Sequence, residues 1–168
     1  FDEESVELAE ALDIQLLKIA SCSANDWPLL EKIVAAGKPV VCSIAGLAQE
    51  QVDNVASFFD HHGVDYALMH CVAVYPTPFE KLNLERIKIL KERFPHLEIG
   101  FSTHEEPDRT DIVKSAYAYG ARLFERHIGV ETEEIKLNAY SSRPEQLAVW
   151  FQSWREAEGR HKSVTQTG

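Results

Sequence analysis

Side chains that can bind anions stand at the ends of two short apolar runs near the start of this 168-residue chain. Lys18 and Ser21 follow the first run, and Ser43 closes the second. An ammonium group supplies positive charge, while hydroxyls and nearby helix N-termini supply hydrogen-bond donors, so these residues could hold a phosphate. Alternatively, Lys18 could be a strand residue whose ammonium group extends to solvent, and the two serines could be turn residues. The spacing alone does not distinguish these two interpretations.

Two histidines follow later apolar runs at matching positions. His104 and His127 would lie at the ends of adjacent strands, where two imidazoles could coordinate one divalent cation and leave positions open for water and substrate. So small a set of protein ligands favours an exchangeable, borderline ion such as Mn²⁺ over a closed structural zinc site. The competing interpretation is a pair of hydrogen-bonded histidines at strand ends.

Five apolar runs predict the buried strands that would position these side chains: Gln15 to Ala20, Pro39 to Ser43, Tyr66 to Cys71, Leu97 to Ser102 and Arg122 to Ile128. Helical patterns separate the strands and follow the last one: Trp27 to Ala36, Gln49 to His61, Leu84 to Phe94, Asp111 to Tyr119 and Pro144 to about Glu158. Pro28 and Gly37 mark the start and the end of the first of these helices. Ser142 is the predicted cap of the last one.

Strands that alternate with helices form βαβ units, whose right-handed crossovers give a parallel α/β sheet. An open doubly wound sheet usually carries a glycine-rich turn such as GxGxxG, and the sequence has none. A (β/α)8 TIM barrel needs eight strands, so five strands would make a partial barrel. The pattern alone leaves both architectures open, and we expect one α/β domain over residues 1–159, followed by a polar, frayed tail over residues 160–168.

The charge balance argues against a nucleic-acid partner. Acidic residues outnumber basic residues 27 to 17, which gives a net charge of -10, and no cluster of Lys and Arg could neutralise a phosphate backbone. No run reaches the roughly 18 apolar residues of a membrane span, so we expect no membrane partner. The chain begins at Phe1, with neither an initiator Met nor the basic region of a signal peptide, so we expect a cytoplasmic protein with further sequence upstream.

The three cysteines and the remaining histidines are interpreted without a role in chemistry. Cys22, Cys42 and Cys71 lack CxxC spacing and lie in apolar runs, so we expect reduced core thiols in a reducing compartment. His70 also lies in an apolar run and is interpreted as a core histidine. The others have polar neighbours and are interpreted as solvated: His61, His62, His96 and His161.

Five motifs occur in order along the chain: Lys18 to Ser21 (KIAS), Gly37 to Ser43 (GKPVVCS), His70 to Pro78 (HCVAVYPTP), Gly100 to His104 (GFSTH) and Glu125 to His127 (ERH). From Phe1 to about Glu158, the chain resembles the N-acetylneuraminate (sialic acid) synthase family. The resemblance implies a (β/α)8 barrel, of which this chain would cover strands four to eight. The family's strands one to three, which carry a further carboxylate and a lysine, have no counterpart here, nor does its small antifreeze-like domain.

The resemblance also implies a reaction and the residues that perform it. The family condenses phosphoenolpyruvate (PEP) with an N-acylated amino sugar aldehyde and releases phosphate, and we expect the full-length protein to be a homodimer. Lys18 and Tyr75 match catalytic positions, whereas His104 and His127 match the ligands of a divalent metal, Mn²⁺ or alternatively Mg²⁺ or Co²⁺. The positions that match the PEP site are Lys18, Ser21, Ser43, Ser102 and Tyr75.

Four departures from the family pattern concern mostly the acceptor side of the site. Ser23 stands where the family usually has a Glu, Ala73 replaces a polar residue, and Thr103 replaces an Asp. The segment Lys136 to Ser141 replaces a GPD stretch whose Asp helps to hold the sugar. We interpret Ser23 and Asn138 as acceptor-facing residues and infer either a different acceptor sugar or a reduced or lost activity.

Three functions remain open at this point. The leading hypothesis is a PEP-dependent synthase of a nine-carbon, sialic-acid-like sugar acid. The second is a non-catalytic relative that binds PEP and metal, and Ser23 is its best support. The third, an unrelated metal-dependent aldolase on the same fold, explains the histidines but not the YPTP stretch.

Overall fold

The computed structural model describes the backbone of residues 1–166 and the side chains of residues 1–160. Its centre is one sheet of five strands, all parallel and ordered as in the chain. The strands are β1 (Leu17–Ile19), β2 (Val40–Ser43), β3 (Tyr66–Cys71), β4 (Glu98–Thr103) and β5 (Leu123–Arg126). The architecture is therefore an α/β half-barrel, as expected of a partial TIM barrel.

Helices precede, connect and follow the strands. They are α1 (Glu3–Ala11), α2 (Trp27–Ala35), α3 (Gln49–His62), α4 (Glu85–Arg93), α5 (Asp111–Ala118) and α6 (Pro144–Gln166). Two single-turn 3-10 helices, Ser21–Ser23 and Phe79–Lys81, follow β1 and β3. Every predicted strand and helix is present. The predicted end of α6 near Glu158 was wrong, because the helix continues to Gln166 through most of the expected tail, whereas residues 167–168 lie outside the described part of the chain.

Local sequence explains where the helices begin and end. The carboxylate of Asp26 accepts a hydrogen bond from the backbone N–H of Leu29 at 3.4 Å, which caps the start of α2. Gly37 ends the same helix at φ 64°, a conformation that costs a glycine little. The predicted cap of α6 was wrong, because the hydroxyl of Ser142 accepts a hydrogen bond from Arg126 Nε at 2.6 Å instead.

The two faces of the sheet differ in character because side chains alternate along each strand. On the outer face, Leu68, Ile99 and Phe101 pack in one core with the helices, among them Phe59 of α3. The inner face includes Gly100. A Cβ atom at Gly100 would collide with Met69 Sδ and would lie 2.8 Å from the carbonyl oxygen of Leu123. Glycine therefore allows three neighbouring strands to approach closely on the inner face.

His70 has the structural role that was predicted. It is buried, and its Nε2 donates a hydrogen bond to the carbonyl oxygen of Leu82 at 2.8 Å. All three cysteines are free thiols, and Cys42 and Cys71 are buried. The prediction of a core position for Cys22 was wrong, because Cys22 lies exposed in the 3-10 turn after β1.

The surface histidines and the helix lengths complete the comparison with the sequence. His61, His62 and His96 are exposed, as predicted, and the side chain of His161 lies outside the described residues. Among the described helices, none combines the length and the apolar character that crossing a membrane requires.

Candidate active site

A cavity of about 810 Å³ runs from α1, α2 and the edge of β1 across the inner face of the half-barrel to the carboxyl ends of the strands. Such strand ends are where parallel α/β folds bind their ligands. The polar and aromatic residues that line it at the strand ends and in the loops after them are Lys18, Ser21, Cys22, Ser23, Ser43, Cys71, Tyr75, Ser102, His104, Glu125, His127 and Tyr140. The structure therefore brings together every residue that was predicted for the PEP site and for the metal.

Lys18 points into this cavity from β1. Its Nζ donates hydrogen bonds to Ser43 Oγ at 2.9 Å and to the carbonyl oxygen of Ile19 at 3.0 Å. Its Nζ also lies 3.4 Å from Glu125 Oε2 of β5. The ammonium group is thus held by oxygen atoms from both edges of the sheet and does not extend freely into solvent.

Two of the predicted PEP serines lie close to the cavity wall. Ser21 Oγ accepts a hydrogen bond from the backbone N–H of Ala45 at 2.9 Å, which ties the turn after β1 to the loop after β2. Ser102 lies beside Cys71 on the neighbouring strand. Burial raises the pKa of the Cys71 thiol, so this thiol is neutral within the cavity.

His104 and His127 form a pair, with ring centroids 5.1 Å apart. His104 is 6% exposed, and its Nδ1 lies 3.7 Å from Cys71 Sγ. Burial, with a further contribution from His127, lowers the pKa of His104 to about 4. A neutral imidazole keeps a lone pair for a metal, so this chemistry fits a divalent cation. The described residues contain no cluster of three or more His, Cys, Asp or Glu that could hold one, so the two imidazoles would form an open, exchangeable site.

Two tyrosines enclose the imidazole pair. The ring centroid of Tyr75 lies 4.6 Å from that of His104, and Tyr140 lies 5.1 Å from His127 and 5.4 Å from Tyr75. The loop that carries Tyr75 is fixed to β4, because the backbone N–H of Thr77 donates to the carbonyl oxygen of His104 at 2.8 Å. The tyrosines therefore make an aromatic wall beside both imidazoles.

A buried ion pair lies next to the histidines along the chain. Arg126 Nη1 is 2.6 Å from Glu105 Oε1, and both side chains are 2% exposed. Arg126 also donates to Thr103 Oγ1 at 2.9 Å and to Ser142 Oγ at 2.6 Å. Burial raises the pKa of Glu105, although the charge of Arg126 opposes this shift.

The two predicted acceptor-facing residues have different positions. Ser23 lines the cavity and is buried. Asn138 is exposed outside the cavity lining, and its Oδ1 accepts a hydrogen bond from the backbone N–H of Tyr140 at 3.2 Å. The structure thus brings Tyr140 to the cavity, whereas Asn138 supports the loop behind it.

Sequence reasoning did not predict Glu125 and Tyr140 for the cavity, and it interpreted Cys22 and Cys71, which also line the cavity, as core thiols without a role there. Glu125 of β5 lies two residues before His127, which follows the strand, and both line the cavity, so a period of two could have identified Glu125. Tyr140 lies in an irregular loop, where no periodicity predicts the direction of a side chain. Its position depends on the tertiary fold alone.

Comparison with known proteins identifies the family. The sequence profile of the NeuB family matches residues 1–165. N-acetylneuraminate-9-phosphate synthase of Drosophila melanogaster is 37% identical over 134 residues, which are 79% of this chain and 36% of that protein. Pseudaminic acid synthase of Campylobacter jejuni is 32% identical over 143 residues, which are 82% of this chain and 41% of that protein.

A solved structure agrees with this result. A protein of Chromobacterium violaceum, provisionally named spore coat polysaccharide biosynthesis protein E, superimposes with a TM-score of 0.93 at 49% identity. The match covers 95% of this chain and 48% of that chain. The present chain spans less than half of the length of the curated relatives above. It belongs to the NeuB family, the N-acetylneuraminate synthase family that its motifs resemble.

Proposed function

We propose that the full-length protein condenses PEP with an N-acylated amino sugar aldehyde to give a nine-carbon, sialic-acid-like sugar acid and phosphate. Relatives that are named as synthases of N-acetylneuraminate 9-phosphate and of pseudaminic acid support this reaction at the level of the family. The departures at Ser23 and in the segment from Lys136 to Ser141 favour an acceptor that differs from the usual one.

The observation that carries the proposal is the position of Lys18. Its ammonium group lies 2.9 Å from Ser43 Oγ, in the same cavity as Ser21, Ser102 and the imidazole pair. A cation surrounded by hydroxyls suits the phosphate and carboxylate of PEP. The neighbouring imidazoles and tyrosines leave a less charged region, which suits a sugar aldehyde.

The steps of the reaction assign roles to these groups. The methylene carbon of PEP attacks the aldehyde carbon and forms the new C–C bond, which leaves an oxocarbenium centre at the phosphate-bearing carbon. Water adds to that centre, and the C–O bond to phosphate then breaks. Lys18 and the serine hydroxyls would orient the phosphate and compensate its charge, and the ring of Tyr75 would line the PEP pocket.

His104 and His127 would hold the divalent cation, which we propose to be Mn²⁺, with Mg²⁺ or Co²⁺ as alternatives. When bound, the ion supplies Lewis-acid polarisation of the acceptor aldehyde. Burial holds His104 neutral, and the pairing of Thr77 N–H with the carbonyl oxygen of His104 fixes its backbone. These features prepare one of the two donor groups before any ligand arrives.

Phosphate release by the full-length protein tests the proposal directly. The assay would contain PEP, Mn²⁺ and a panel of N-acylated amino sugars, and reactions without a sugar would measure background hydrolysis. We expect release that depends on one acceptor, that Lys18→Ala lowers strongly and that Lys32→Ala leaves unchanged. Lys32 is a suitable control because it pairs with Glu7 on the surface at 2.7 Å. Absence of sugar-dependent release with every acceptor would contradict the proposal.

A non-catalytic, PEP-binding and metal-binding relative is the second candidate. The specific observation in its favour is that Ser23 lies buried in the cavity at a position where the family usually has a Glu. Loss of a carboxylate would remove a group that can exchange protons. Calorimetric binding of PEP and Mn²⁺ without turnover would support this candidate over the synthase.

We further propose that the full-length protein is a cytoplasmic homodimer. The support for a reducing compartment is that Cys42 and Cys71 are free, buried thiols. Light scattering coupled to gel filtration would test the dimer. A monomer at micromolar concentration would contradict it.

A further inference from the structure

We propose that the buried ion pair between Glu105 and Arg126 positions the imidazoles of His104 and His127, a role that rests on the metal site proposed above. Neither residue lines the cavity, so both would act through the histidines beside them. Their contribution would be to fix the orientation of two donor groups that come from different strands.

The sequence places one partner of the pair beside each histidine. Glu105 directly follows His104 at the end of β4, and Arg126 directly precedes His127 at the end of β5. The contact of 2.6 Å between Arg126 Nη1 and Glu105 Oε1 therefore joins the two strand ends that carry the imidazoles. Arg126 Nη2 also donates to the carbonyl oxygen of Glu105 at 3.3 Å, so the link includes the backbone.

The guanidinium also fixes the segment that follows His127. Arg126 Nε donates to Ser142 Oγ at 2.6 Å, and the backbone N–H of Ser142 donates to the carbonyl oxygen of His127 at 2.9 Å. Arg126 therefore connects His127 to the loop before α6 as well as to β4. Rotation of either strand end would break several of these contacts at once.

Because the pair between Glu105 and Arg126 is buried, the loss of either charge should be costly. Both side chains are 2% exposed, and Glu105 Oε2 has no hydrogen-bond partner among the described residues. A buried arginine requires a partner charge, because removal of one member leaves an uncompensated charge in the interior. Groups that orient metal ligands from behind typically change metal affinity when they are replaced.

Thr103 and Glu105 both contact the guanidinium of Arg126, but Glu105 alone of the two supplies a negative charge. Thr103 Oγ1 accepts from Arg126 Nη1 at 2.9 Å, but a hydroxyl brings no charge. The position of Thr103 is next to His104, where the resemblance indicated an Asp in the family. In this chain the carboxylate that compensates the charge of Arg126 belongs to Glu105, two residues after Thr103, and it contacts the same Nη1 atom.

The test uses the full-length protein, one disruptive variant and one variant that relocates the charge. Glu105→Gln keeps the shape of the side chain but removes its charge. Thr103→Asp combined with Glu105→Gln places a carboxylate where Arg126 Nη1 already donates. The control is Asp111→Asn, which breaks the exposed pair of Asp111 with Arg109 at 2.8 Å.

Three measurements separate positioning from a purely structural role. Calorimetry gives the Mn²⁺ dissociation constant of the folded protein, urea unfolding gives stability, and NMR gives the imidazole signals of His104 and His127 without metal. We expect Glu105→Gln to weaken Mn²⁺ binding about 10- to 100-fold and to shift or split both imidazole signals. The double variant should restore both properties to near the parent values, and Asp111→Asn should change neither.

The other outcomes are also decisive. If Glu105→Gln lowers only stability, with the Mn²⁺ affinity and both imidazole signals unchanged, the positioning role is overturned. If the parent binds no Mn²⁺, the metal site fails, and the imidazole signals alone decide the positioning role. If Glu105→Gln does not fold, Ser142→Ala replaces it, because it removes only the hydrogen bond to Arg126 Nε. An unchanged His127 signal in that variant would overturn the proposal.

Discussion

Lys18 Nζ lies 3.4 Å from Glu125 Oε2, although these residues stand on the first and the last strand of the sheet. Neighbouring strands are spaced about 4.8 Å apart, so a flat sheet of five strands would separate the two backbones by about 19 Å. Side chains of this length cannot span such a gap. The contact therefore requires strong curvature, and it explains how residues that are far apart along the sheet share one cavity.

Replacement of Lys18 and Glu125 should have opposite effects on PEP binding. Lys18→Ala removes a charged hydrogen-bond donor, which we expect to cost about 1.5–3 kcal/mol of binding, or roughly 10- to 100-fold in affinity. Glu125→Gln removes a carboxylate beside the anion site and should tighten binding severalfold at low ionic strength. Calorimetric titration of the full-length protein with PEP would measure both.

A weaker affinity for PEP in Glu125→Gln would contradict this expectation. It would mean that Glu125 serves mainly to orient Lys18. Lys32→Ala provides the matched control, because Lys32 forms a surface pair with Glu7, away from the strand ends.

Replacement of either member of the imidazole pair should remove the metal. His104→Ala and His127→Ala each leave a single imidazole donor among the residues of this chain, which we expect to be too few to retain a divalent cation at micromolar concentration. His96→Ala is the control, because His96 is exposed and lies 3.4 Å from Asp60 on the surface. Calorimetric titration of each variant with Mn²⁺ would measure the loss of affinity. Retention of the parent affinity in both site variants would exclude the pair as the ligands.

The sequence predicted the elements better than their contacts. β3 was predicted at its observed bounds, Tyr66–Cys71, because it is buried between two strands and its apolar run is unbroken. β5 is shorter than predicted because its last residues leave the ladder, and Ile128 instead forms an isolated bridge with Ser142. A strand at the edge of a sheet has one partner, so its length depends on contacts that local sequence does not encode.

The same distinction applies to the candidate site. Residues at strand ends, such as Lys18 and His104, were predictable because the carboxyl ends of parallel strands meet at one rim. Glu105 was not, since a carboxylate in a polar loop is normally exposed and only the tertiary fold shows that Arg126 buries it. The burial of Glu105 therefore needed the structure, whereas the shared rim of Lys18 and His104 followed from the pattern of strands.

Gly100→Ala should destabilise the half-barrel by about 1–3 kcal/mol, because the added methyl group has no space on the inner face. The nearest backbone atom, the carbonyl oxygen of Leu123 at 2.8 Å, belongs to the neighbouring strand and cannot move away easily. Gly159→Ala is the matched control. No neighbouring atom of the described residues lies within 4 Å of a Cβ there, and alanine in a helix is favoured by about 0.5–1 kcal/mol. Urea unfolding would measure the free energy of unfolding of both variants. Equal values for Gly100→Ala and Gly159→Ala would contradict the predicted clash.

Cys22 and Cys42 should be alkylated at very different rates in the folded protein. Cys22 is exposed, whereas Cys42 is buried and its pKa is raised to about 12 by that burial. Because the thiolate is the reactive form, we expect iodoacetamide at pH 8 to modify Cys22 quickly and Cys42 only after unfolding. PEP should slow the reaction of Cys22, which lines the cavity. Peptide mass spectrometry over time would measure the rates. Labelling of Cys42 at the rate of Cys22 in the folded protein would contradict the buried position.

Tyr140 should determine how the acceptor sugar fits. Its ring lies 5.1 Å from that of His127 and 5.4 Å from that of Tyr75, so it closes one side of the space beside the imidazoles. An aromatic contact of this kind contributes about 0.5–1.5 kcal/mol. Tyr140→Ala should therefore raise the KM for the amino sugar about two- to tenfold and admit bulkier N-acyl groups. The KM for PEP should change less than the KM for the sugar, because Tyr75 is the one proposed PEP residue whose ring contacts Tyr140 and the others lie around Lys18.

Tyr140→Phe separates the ring from its hydroxyl. If the ring alone shapes the acceptor site, Tyr140→Phe should retain the parent KM for the sugar. Tyr119→Ala, at the end of α5 and outside the cavity lining, controls for loss of an exposed tyrosine. An altered KM for PEP with an unchanged KM for the sugar would place Tyr140 in the PEP site instead. In that case, the acceptor preference would have to come from Ser23 or from residues outside this chain.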